Sequence, residues 1–190
     1  MKLGLVLMGA GDAKRFGGNK LLYEIGGEAM GVTALKLFSG IDFAHRVFVT
    51  RADCEKLFSA AQNLGYLAAI NKDPSRGVSS SIAVGLQVLT MQGGFLDDGV
   101  LFAVCDQPYL TKASVEALIE TFARDPSRIA ALSYQGKPGN PVIFPQKLVP
   151  ELMKLAGDVG GRQVMAKHSD LIVLSEAASE KELLDIDRKD

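Results

Sequence analysis

The apolar run Leu3-Gly4-Leu5-Val6-Leu7 leads directly into the loop Met8-Gly9-Ala10-Gly11-Asp12-Ala13-Lys14-Arg15-Phe16-Gly17-Gly18-Asn19-Lys20. A buried strand that ends in a glycine-rich loop can bring backbone N–H groups close to phosphate oxygens. The loop also carries three positive charges, on Lys14, Arg15 and Lys20. The stretch therefore predicts a buried strand followed by a loop that suits a triphosphate.

Two common phosphate-binding loops do not fit this stretch. Gly9 and Gly11 match the start of the dinucleotide fingerprint G-x-G-x-x-G, but Lys14 stands where the third glycine is required. A Walker A loop requires Gly-Lys followed by Ser or Thr, whereas Asn19 separates Gly18 from Lys20 here. The residues thus disfavour an NAD-binding loop and a P-loop. A glycine-rich turn with a solvated charged face is the simpler alternative.

Short apolar segments alternate with longer amphipathic segments along the chain. The predicted strands are Leu3–Met8, Arg46–Thr50, Tyr66–Ile70, Val100–Val104, Ile129–Ser133 and Leu171–Leu174. The predicted helices are Met30–Phe38, Ala52–Asn63, Ser80–Met91, Lys112–Arg124 and Leu148–Leu155. Nearly continuous apolar strands are typical of a parallel sheet covered on both faces, and the alternation predicts a doubly wound α/β fold. We expect one domain over residues 1–190.

The alternation breaks after Ser133. Residues 134–141 are rich in turn-forming Gly, Pro and Asn, and a short extended segment, Val142–Phe144, follows them. This pattern predicts a small β insertion near the edge of an otherwise mostly parallel sheet.

Composition limits the classes of function. The chain of 190 residues has a net charge of −1, which disfavours a nucleic-acid surface because such surfaces usually need a basic excess. Two cysteines without a C-x-x-C pair and two histidines argue against a disulfide framework, a zinc cluster or a histidine-rich metal site. No signal sequence or membrane-spanning stretch is evident, so we expect a cytoplasmic protein with no membrane partner.

The glycine-rich loop resembles the signature of the MobA-like nucleotidyltransferases, G-x-x-x-R-[FM]-G-G-x-K. The matching residues are Gly11, Arg15, Phe16, Gly17, Gly18 and Lys20. Gly9 departs from the pattern, because relatives of the cytidylyl branch usually carry Ala there. The resemblance implies the Rossmann-like fold of the nucleotide-diphospho-sugar transferases. It also implies an enzyme that uses Mg²⁺ and a nucleoside triphosphate.

Ligands of open α/β sheets bind beyond the carboxyl ends of the strands, where Arg76-Gly77-Val78-Ser79-Ser80-Ser81 is expected. Ser and Gly at a helix start often serve only to cap free N–H groups. The stretch also resembles the G-x-S-x-S pattern of cytidylyl-type relatives, whereas guanylyl-type relatives carry a Pro-Leu-Ala-Gly-like stretch. The resemblance assigns Gly77, Ser79 and Ser81 to nucleotide binding and favours CTP over GTP.

Two acidic motifs could hold a metal ion, since Mg²⁺ prefers carboxylate oxygens. Asp106 follows a predicted strand and matches the D-Q-P motif of the family; Thr111 is the better candidate to cap the next helix. Asp187 occupies the second Asp position of a D-I-D-T-P-type motif, although Arg188-Lys189 replace Thr-Pro. The resemblance implies that Asp106 and Asp187 bind Mg²⁺. A solvated acidic tail is the alternative for Asp187.

Two further motifs resemble elements that lie near the acceptor substrate in relatives. Asn140 belongs to Gly139-Asn140-Pro141-Val142, which matches G-[NH]-P-V, and Arg162 ends a G-D-x-G-x-R-like element. The simpler explanation for the first motif is a turn that starts a strand. In the second motif, Asp158 could simply be a helix N-cap. The resemblance implies that Asn140 and Arg162 contact the acceptor.

Together the motifs look most like the cytidylyltransferase branch, which joins CMP to molybdopterin. This implies that Gly9, Ala10, Gly11, Gly17 and Gly18 cradle phosphates. Arg15 and Lys20 would act as catalytic cations beside Asp106. The alternatives are a guanylyltransferase, a transferase for another phosphorylated acceptor such as a sugar phosphate, or a non-catalytic protein that delivers molybdenum cofactor to a molybdoenzyme.

Overall fold

The computed structural model describes residues 1–11, 16, 19–91 and 98–187. The strands are β1 (Leu3–Met8), β2 (Glu24–Ile25), β3 (Glu28–Ala29), β4 (His45–Thr50), β5 (Leu67–Ile70), β6 (Gly99–Val104), β7 (Ile129–Tyr134), β8 (Lys137–Pro145) and β9 (Ile172–Glu176). The helices are α1 (Met30–Ser39), α2 (Glu55–Asn63), α3 (Val78–Met91), α4 (Lys112–Arg124), α5 (Val149–Leu152) and α6 (Gly161–Lys167).

Seven of these strands form one sheet in the order β5-β4-β1-β6-β8-β7-β9. β1 is parallel to both neighbours, β4 and β6, and the pairs β4–β5 and β7–β9 are also parallel. β8 runs antiparallel to β6 and to β7. The predicted mostly parallel sheet is therefore confirmed.

Apolar side chains cover both faces of the sheet, as a doubly wound fold requires. Leu5 of β1 belongs to one buried cluster together with Leu35 of α1 and Leu118 of α4. The adjacent residue, Val6, belongs to a second cluster with Leu86 of α3. Because successive side chains of a strand point to opposite faces, a continuous apolar run such as β1 can only be buried in this way.

The predicted position of the β insertion near the sheet edge is wrong. Its apolar residues 142–144 are part of the longer strand β8, which lies inside the sheet between β6 and β7. A tight turn at Gln135 and Gly136, both with positive φ, reverses the chain after β7. Since Ile143 and Phe144 are almost fully buried, β8 needs neighbours on both sides, and an edge position would expose it.

Helix prediction was less accurate after β8. The segment predicted as a helix over Leu148–Leu155 is helical in α5 only, over Val149–Leu152. α6 was not predicted because its seven residues are too short to show a clear helical periodicity. No helix in the described ranges combines the length and apolar character needed to cross a membrane.

The topology gathers several loops at one edge of the sheet. The parallel strands β1, β5 and β6 all end at this edge, so the loops that follow them lie together. β8 runs in the opposite direction, and its pairing of Val142 with Phe102 places its first residues at the same edge. Gly85 lets α3 approach β1 closely, because a Cβ atom there would lie 2.4 Å from Val6. The start of α3 also lies near this edge, because only a short connection with the turn Pro74–Arg76 separates it from the end of β5.

Candidate active site

A lysine and two aspartates meet at the carboxyl edge of the sheet. Lys20 Nζ lies 2.6 Å from Asp106 Oδ2 and 3.0 Å from Asp187 Oδ1. Lys20 begins a short 3₁₀ turn that is capped by Asn19, whose side-chain oxygen accepts a hydrogen bond from the Leu21 N–H. The structure therefore brings together three residues that the sequence motifs single out, although 86 and 167 positions separate Lys20 from the two acids.

Lys20 is held in its charged form by these neighbours. Burial by itself would lower its pKa, but the hydrogen bonds and negative charges of Asp106 and Asp187 outweigh burial and raise the pKa above the ordinary value. Lys20 is consequently an ammonium at neutral pH. Its side chain is only 14% exposed, so little solvent screens the ion pair with Asp106.

The second oxygen of Asp106 has the properties of a cation ligand. Asp106 Oδ1 is buried and has no hydrogen-bond partner within the described residues. A buried carboxylate oxygen with unused lone pairs fits a hard divalent cation. The exposed carboxylate of Asp187 is close by, because it pairs with the same lysine, Lys20. Residues 1–11, 16, 19–91 and 98–187 hold no group of three or more Asp, Glu, His or Cys suited to a metal. Two carboxylates suit Mg²⁺, which takes its other ligands from water and phosphates.

Main-chain and side-chain contacts fasten the Asp185-Ile186-Asp187 segment to the loop after β6. The Ile186 N–H donates to the Asp106 carbonyl oxygen at 3.0 Å. Gln107 Nε2 donates to Asp185 Oδ1 at 3.0 Å and to the Leu183 carbonyl oxygen. Burial and the charge of Asp106 raise the pKa of Asp185. Sequence reasoning assigned no role to Gln107, although its place in the D-Q-P motif marked it.

Glu182, which lies just before this segment in the chain, joins it to the start of α4. Its side chain accepts hydrogen bonds from the Thr111 N–H and hydroxyl and from the Ala178 N–H. Thr111 in turn caps α4 by accepting from the Ser114 N–H, which matches the predicted role of Thr111. The residues before Asp187 are therefore anchored at several points.

The first cavity, of about 350 Å³, lies beside the Lys20–Asp106 pair. Its lining includes five of the residues assigned to nucleotide binding, namely Gly9, Ala10, Gly11, Gly77 and Ser81, together with Lys20 and Asp106. Gly9 is required sterically, because a Cβ atom there would lie 2.7 Å from the ring of Phe48. The Ala that cytidylyl relatives usually carry there would fit this chain only if the ring of Phe48 moved.

The serines at the start of α3 have different surroundings: Ser79 contacts a neighbouring loop, whereas Ser81 lines the first cavity. Ser79 Oγ donates to the Gly157 carbonyl oxygen at 2.6 Å, and Ser79 is not among the residues that line this cavity. Gly77 has a φ of 85°, and a Cβ atom there would lie 2.5 Å from the Asp158 Cα. Nucleotide binding by Ser79 stays a prediction, and its contact with Gly157 does not favour it. Asp158 is not the N-cap of α6, a position that Gly160 occupies.

The second cavity, of about 550 Å³, adjoins the first and shares Met8, Val78 and Val104 with it. Both residues assigned to the acceptor, Asn140 and Arg162, line this cavity. Most of the remaining lining is apolar and includes Phe102, Phe144 and Met165, while Asp185 adds one carboxylate. The two cavities therefore lie side by side, and the second is the more apolar of the two.

Several predicted site residues lie outside the described residues. These are Lys14, Arg15, Gly17 and Gly18 of the glycine-rich loop, and Arg188 and Lys189 after the last aspartate. Their predicted roles stay predictions.

The MobA-like NTP transferase domain family matches residues 4–171, and the chain belongs to this family. It is a nucleotidyltransferase domain, with a fold of the nucleotide-diphospho-sugar transferase type. One relative is the purine catabolism protein PucB of Bacillus subtilis (strain 168). It is 27% identical over 167 residues, which cover 84% of this chain and 78% of PucB.

Solved structures share the fold at lower identity. Rv0371c from Mycobacterium tuberculosis H37Rv is 20% identical, covers 99% of this chain and 94% of its own, and superimposes with a TM-score of 0.80. The same protein has also been solved as a manganese complex, with a TM-score of 0.73, 16% identity, and coverage of 94% of this chain and 90% of its own. A nucleotidyl transferase from Methanothermobacter (Mth528) has a TM-score of 0.79 at 20% identity, with coverage of 98% and 92%.

Proposed function

We propose that this protein transfers CMP from CTP to a phosphate group of a molybdopterin-type acceptor and releases pyrophosphate. The observation that carries the proposal is the contact of Lys20 with Asp106 and Asp187 beside two adjoining cavities. A two-substrate transfer needs a nucleotide and an acceptor side by side, with positive charge where the phosphates meet. The choice of CTP rests on the likeness of the Gly77–Ser81 stretch to cytidylyl relatives.

Asp106 and Asp187 would hold Mg²⁺, which would neutralise negative charge on the triphosphate. The buried Asp106 Oδ1 without a hydrogen-bond partner among the described residues supports this role. The manganese complex of Rv0371c supports a divalent cation in proteins of this fold.

The glycine-rich loop and Lys20 would position the triphosphate in the first cavity. Close approach of the chain at Gly9, Ala10 and Gly11 leaves room for phosphate oxygens, and the ammonium of Lys20 stabilises charge on them. An acceptor phosphate oxygen attacks the α-phosphorus, and the bond from that phosphorus to the bridging oxygen breaks, so that pyrophosphate leaves. A phosphate that is already ionised needs no general base. Arg15 is proposed as a second cation for the leaving group.

The second cavity has the chemistry expected of the acceptor site. Phe102, Phe144 and Met165 offer apolar surface to a ring system, and Arg162 offers a guanidinium that suits a phosphate. Asn140 adds an amide that can both donate and accept. A pterin that carries a phosphate combines these two features.

Pyrophosphate release tests the proposal directly. The purified protein is incubated with Mg²⁺ and CTP, GTP, ATP or UTP, each with and without molybdopterin loaded with molybdenum. Release that requires both CTP and the acceptor would support the proposal. Release with GTP would shift it to guanylyl transfer, and release that does not depend on molybdopterin would reject that acceptor. Nucleotide binding with no release under any condition would favour a delivery protein.

A further inference from the structure

Asn71 is a buried polar residue that belongs to none of the motifs discussed above. It follows β5 directly and is only 3% exposed. Its backbone N–H donates to the Thr50 carbonyl oxygen at 2.8 Å, which continues the pairing of β5 with β4 by one residue. Its side-chain oxygen accepts a hydrogen bond from the Asp73 N–H at 3.0 Å. Asn71 is thus rigidly attached to the sheet.

The side-chain nitrogen of Asn71 connects the sheet to the start of α3. Nδ2 lies 2.8 Å from Ser80 Oγ and 3.1 Å from Ser81 Oγ. A carboxamide nitrogen has two N–H donors, so these two contacts use both of them. One amide therefore fixes the hydroxyl oxygens of two consecutive serines.

These contacts leave the hydroxyl groups of the two serines with different hydrogen-bond partners. Ser80 accepts from Asn71 and donates its own proton to the Gly77 carbonyl oxygen at 2.7 Å. Ser81 accepts from Asn71 at 3.1 Å, and no acceptor for its own hydroxyl proton is found among the described residues. Ser81 lines the first cavity, so the direction left for that proton is the cavity.

The strand order indicates which part of a nucleotide this donor would meet. Lys20 and Asp106 follow β1 and β6, which are adjacent, whereas Asn71 follows β5, two strands from β1 on the other side. A nucleotide whose triphosphate lies against Lys20 therefore extends its base towards the start of α3. A hydroxyl donor that is held in place can distinguish bases by the hydrogen-bond acceptors on their edges.

We propose that Asn71 is a positioning residue that sets the nucleotide preference of the first cavity by holding Ser81 as a hydrogen-bond donor. The inference rests on the proposed function only in that the first cavity takes a nucleoside triphosphate. It does not depend on which triphosphate is preferred.

The test is calorimetric titration of CTP, GTP, ATP and UTP with Mg²⁺ into wild type, Asn71→Ala, Ser81→Ala and the double variant. In Asn71→Ala we expect the preferred nucleotide to bind about five- to tenfold more weakly and the others to change less, so that the preference falls. Because Asn71 acts through Ser81, the double variant should bind no more weakly than Ser81→Ala. Equal weakening of all four nucleotides, or additive effects, would overturn the proposal.

Two further variants separate this role from general stability. Thr50→Val is a matched control, because Thr50 is fully buried and its hydroxyl has no partner among the described residues. It should leave the preference unchanged. Asn71→Asp keeps the size of the side chain but replaces the donor by an acceptor, so the Ser81 hydroxyl would turn towards the carboxylate. An Asn71→Asp variant with wild-type preference would refute the proposal even if Asn71→Ala does not fold.

The outcomes also distinguish this proposal from the proposed function. A wild type that binds no nucleoside triphosphate would overturn both. A wild type that binds nucleotides without preference, or with a preference that Asn71 does not affect, would overturn the role of Asn71 alone. A GTP preference that collapses in Asn71→Ala would support the role of Asn71 and reject the choice of CTP.

Discussion

The ammonium of Lys20 lies 2.6 Å from Asp106 Oδ2 and reaches Asp187 with the same nitrogen. The two carboxylates that we propose as metal ligands therefore share one positive charge from the protein itself, which offsets half of their combined charge. A divalent cation that binds there meets a positive charge a few ångströms away, and so does an incoming triphosphate. This arrangement makes the charge balance of the site depend on Lys20, and it yields the first two predictions.

Replacement of Lys20 by Met should impair turnover more than nucleotide binding. Stabilisation of charge on the leaving pyrophosphate is needed most in the transition state, so we expect kcat to fall about a hundredfold while the nucleotide Kd changes less than about tenfold. Steady-state pyrophosphate release and calorimetric titration give the two values. Lys36→Met is the matched control, since Lys36 also pairs with a carboxylate, that of Glu28. A loss of nucleotide affinity with kcat unchanged would mean that Lys20 only binds.

The same Lys20→Met variant should bind Mn²⁺ more tightly in the absence of nucleotide. Removal of a charge in contact with both carboxylates removes a repulsion on the incoming cation, and we expect about a tenfold lower Kd. The paramagnetic resonance signal of free Mn²⁺ measures this without any turnover. An unchanged or weaker affinity would show that Lys20 and the metal do not share Asp106 and Asp187.

Replacement of Asp106 by Asn should abolish most turnover and leave the fold intact. The amide keeps the size of the side chain but loses the charge that pairs with Lys20 and would hold the metal, so we expect at least about a hundredfold loss in kcat. Circular dichroism and pyrophosphate release test the two parts. Asp42→Asn serves as the control, because Asp42 is exposed between α1 and β4. Wild-type turnover in Asp106→Asn would rule out the proposed metal role.

Replacement of Gly9 by Ala should destabilise this protein, although relatives of the cytidylyl branch usually carry Ala. The added methyl group would lie 2.7 Å from the ring of Phe48, which is fully buried. Forced repacking of this kind costs about 1–3 kcal/mol. Denaturant unfolding measures the cost, and Gly9→Ala combined with Phe48→Leu should lose less than the two single changes added together. Additive losses would mean that the methyl group and the ring do not meet.

Glu182 should contribute to the acid dependence of stability. Burial by itself would raise its pKa, but hydrogen bonds from Ser114, Thr111 and the Ala178 N–H outweigh burial and lower the pKa below the ordinary value of 4.5. A lowered pKa in the folded state gives a stabilisation that is present above pH 4.5 and is lost as the pH falls through the folded-state pKa.

Unfolding free energies measured between pH 7 and about pH 3 test this contribution. Glu182→Gln should be less stable at neutral pH and should lose less stability on acidification than the wild type. Glu120→Gln, on the exposed side of α4, should keep the wild-type pH profile. A wild-type slope in Glu182→Gln would assign the acid dependence to other groups.

Local sequence patterns were sufficient to predict the strands and helices whose first and last residues are clearly marked in the sequence. β1 and α4 have the predicted bounds, because an apolar run of six residues and a helix that begins after Thr111 are marked by neighbouring residues. The position of β8 could not be predicted in this way. Its place between β6 and β7 depends on burial of Ile143 on one face of the sheet and Phe144 on the other, which is a property of the whole fold.

The sequence by itself determined the chemistry available to this protein: a glycine-rich loop with cations, two aspartates after apolar segments, and a family signature that fits them. Only the tertiary structure decided which of these groups meet. Lys20 and Asp106 come into contact because the segments that carry them follow parallel strands that end at one edge of the sheet. Asp187 reaches them because the preceding residues are fastened to the loop after β6. The proposed role of Asn71 also depends on its contacts with Ser80 and Ser81 of α3, and Asn71 itself belongs to no motif discussed above. Residue type is encoded locally, whereas a contact between distant segments depends on how the strands are ordered and covered.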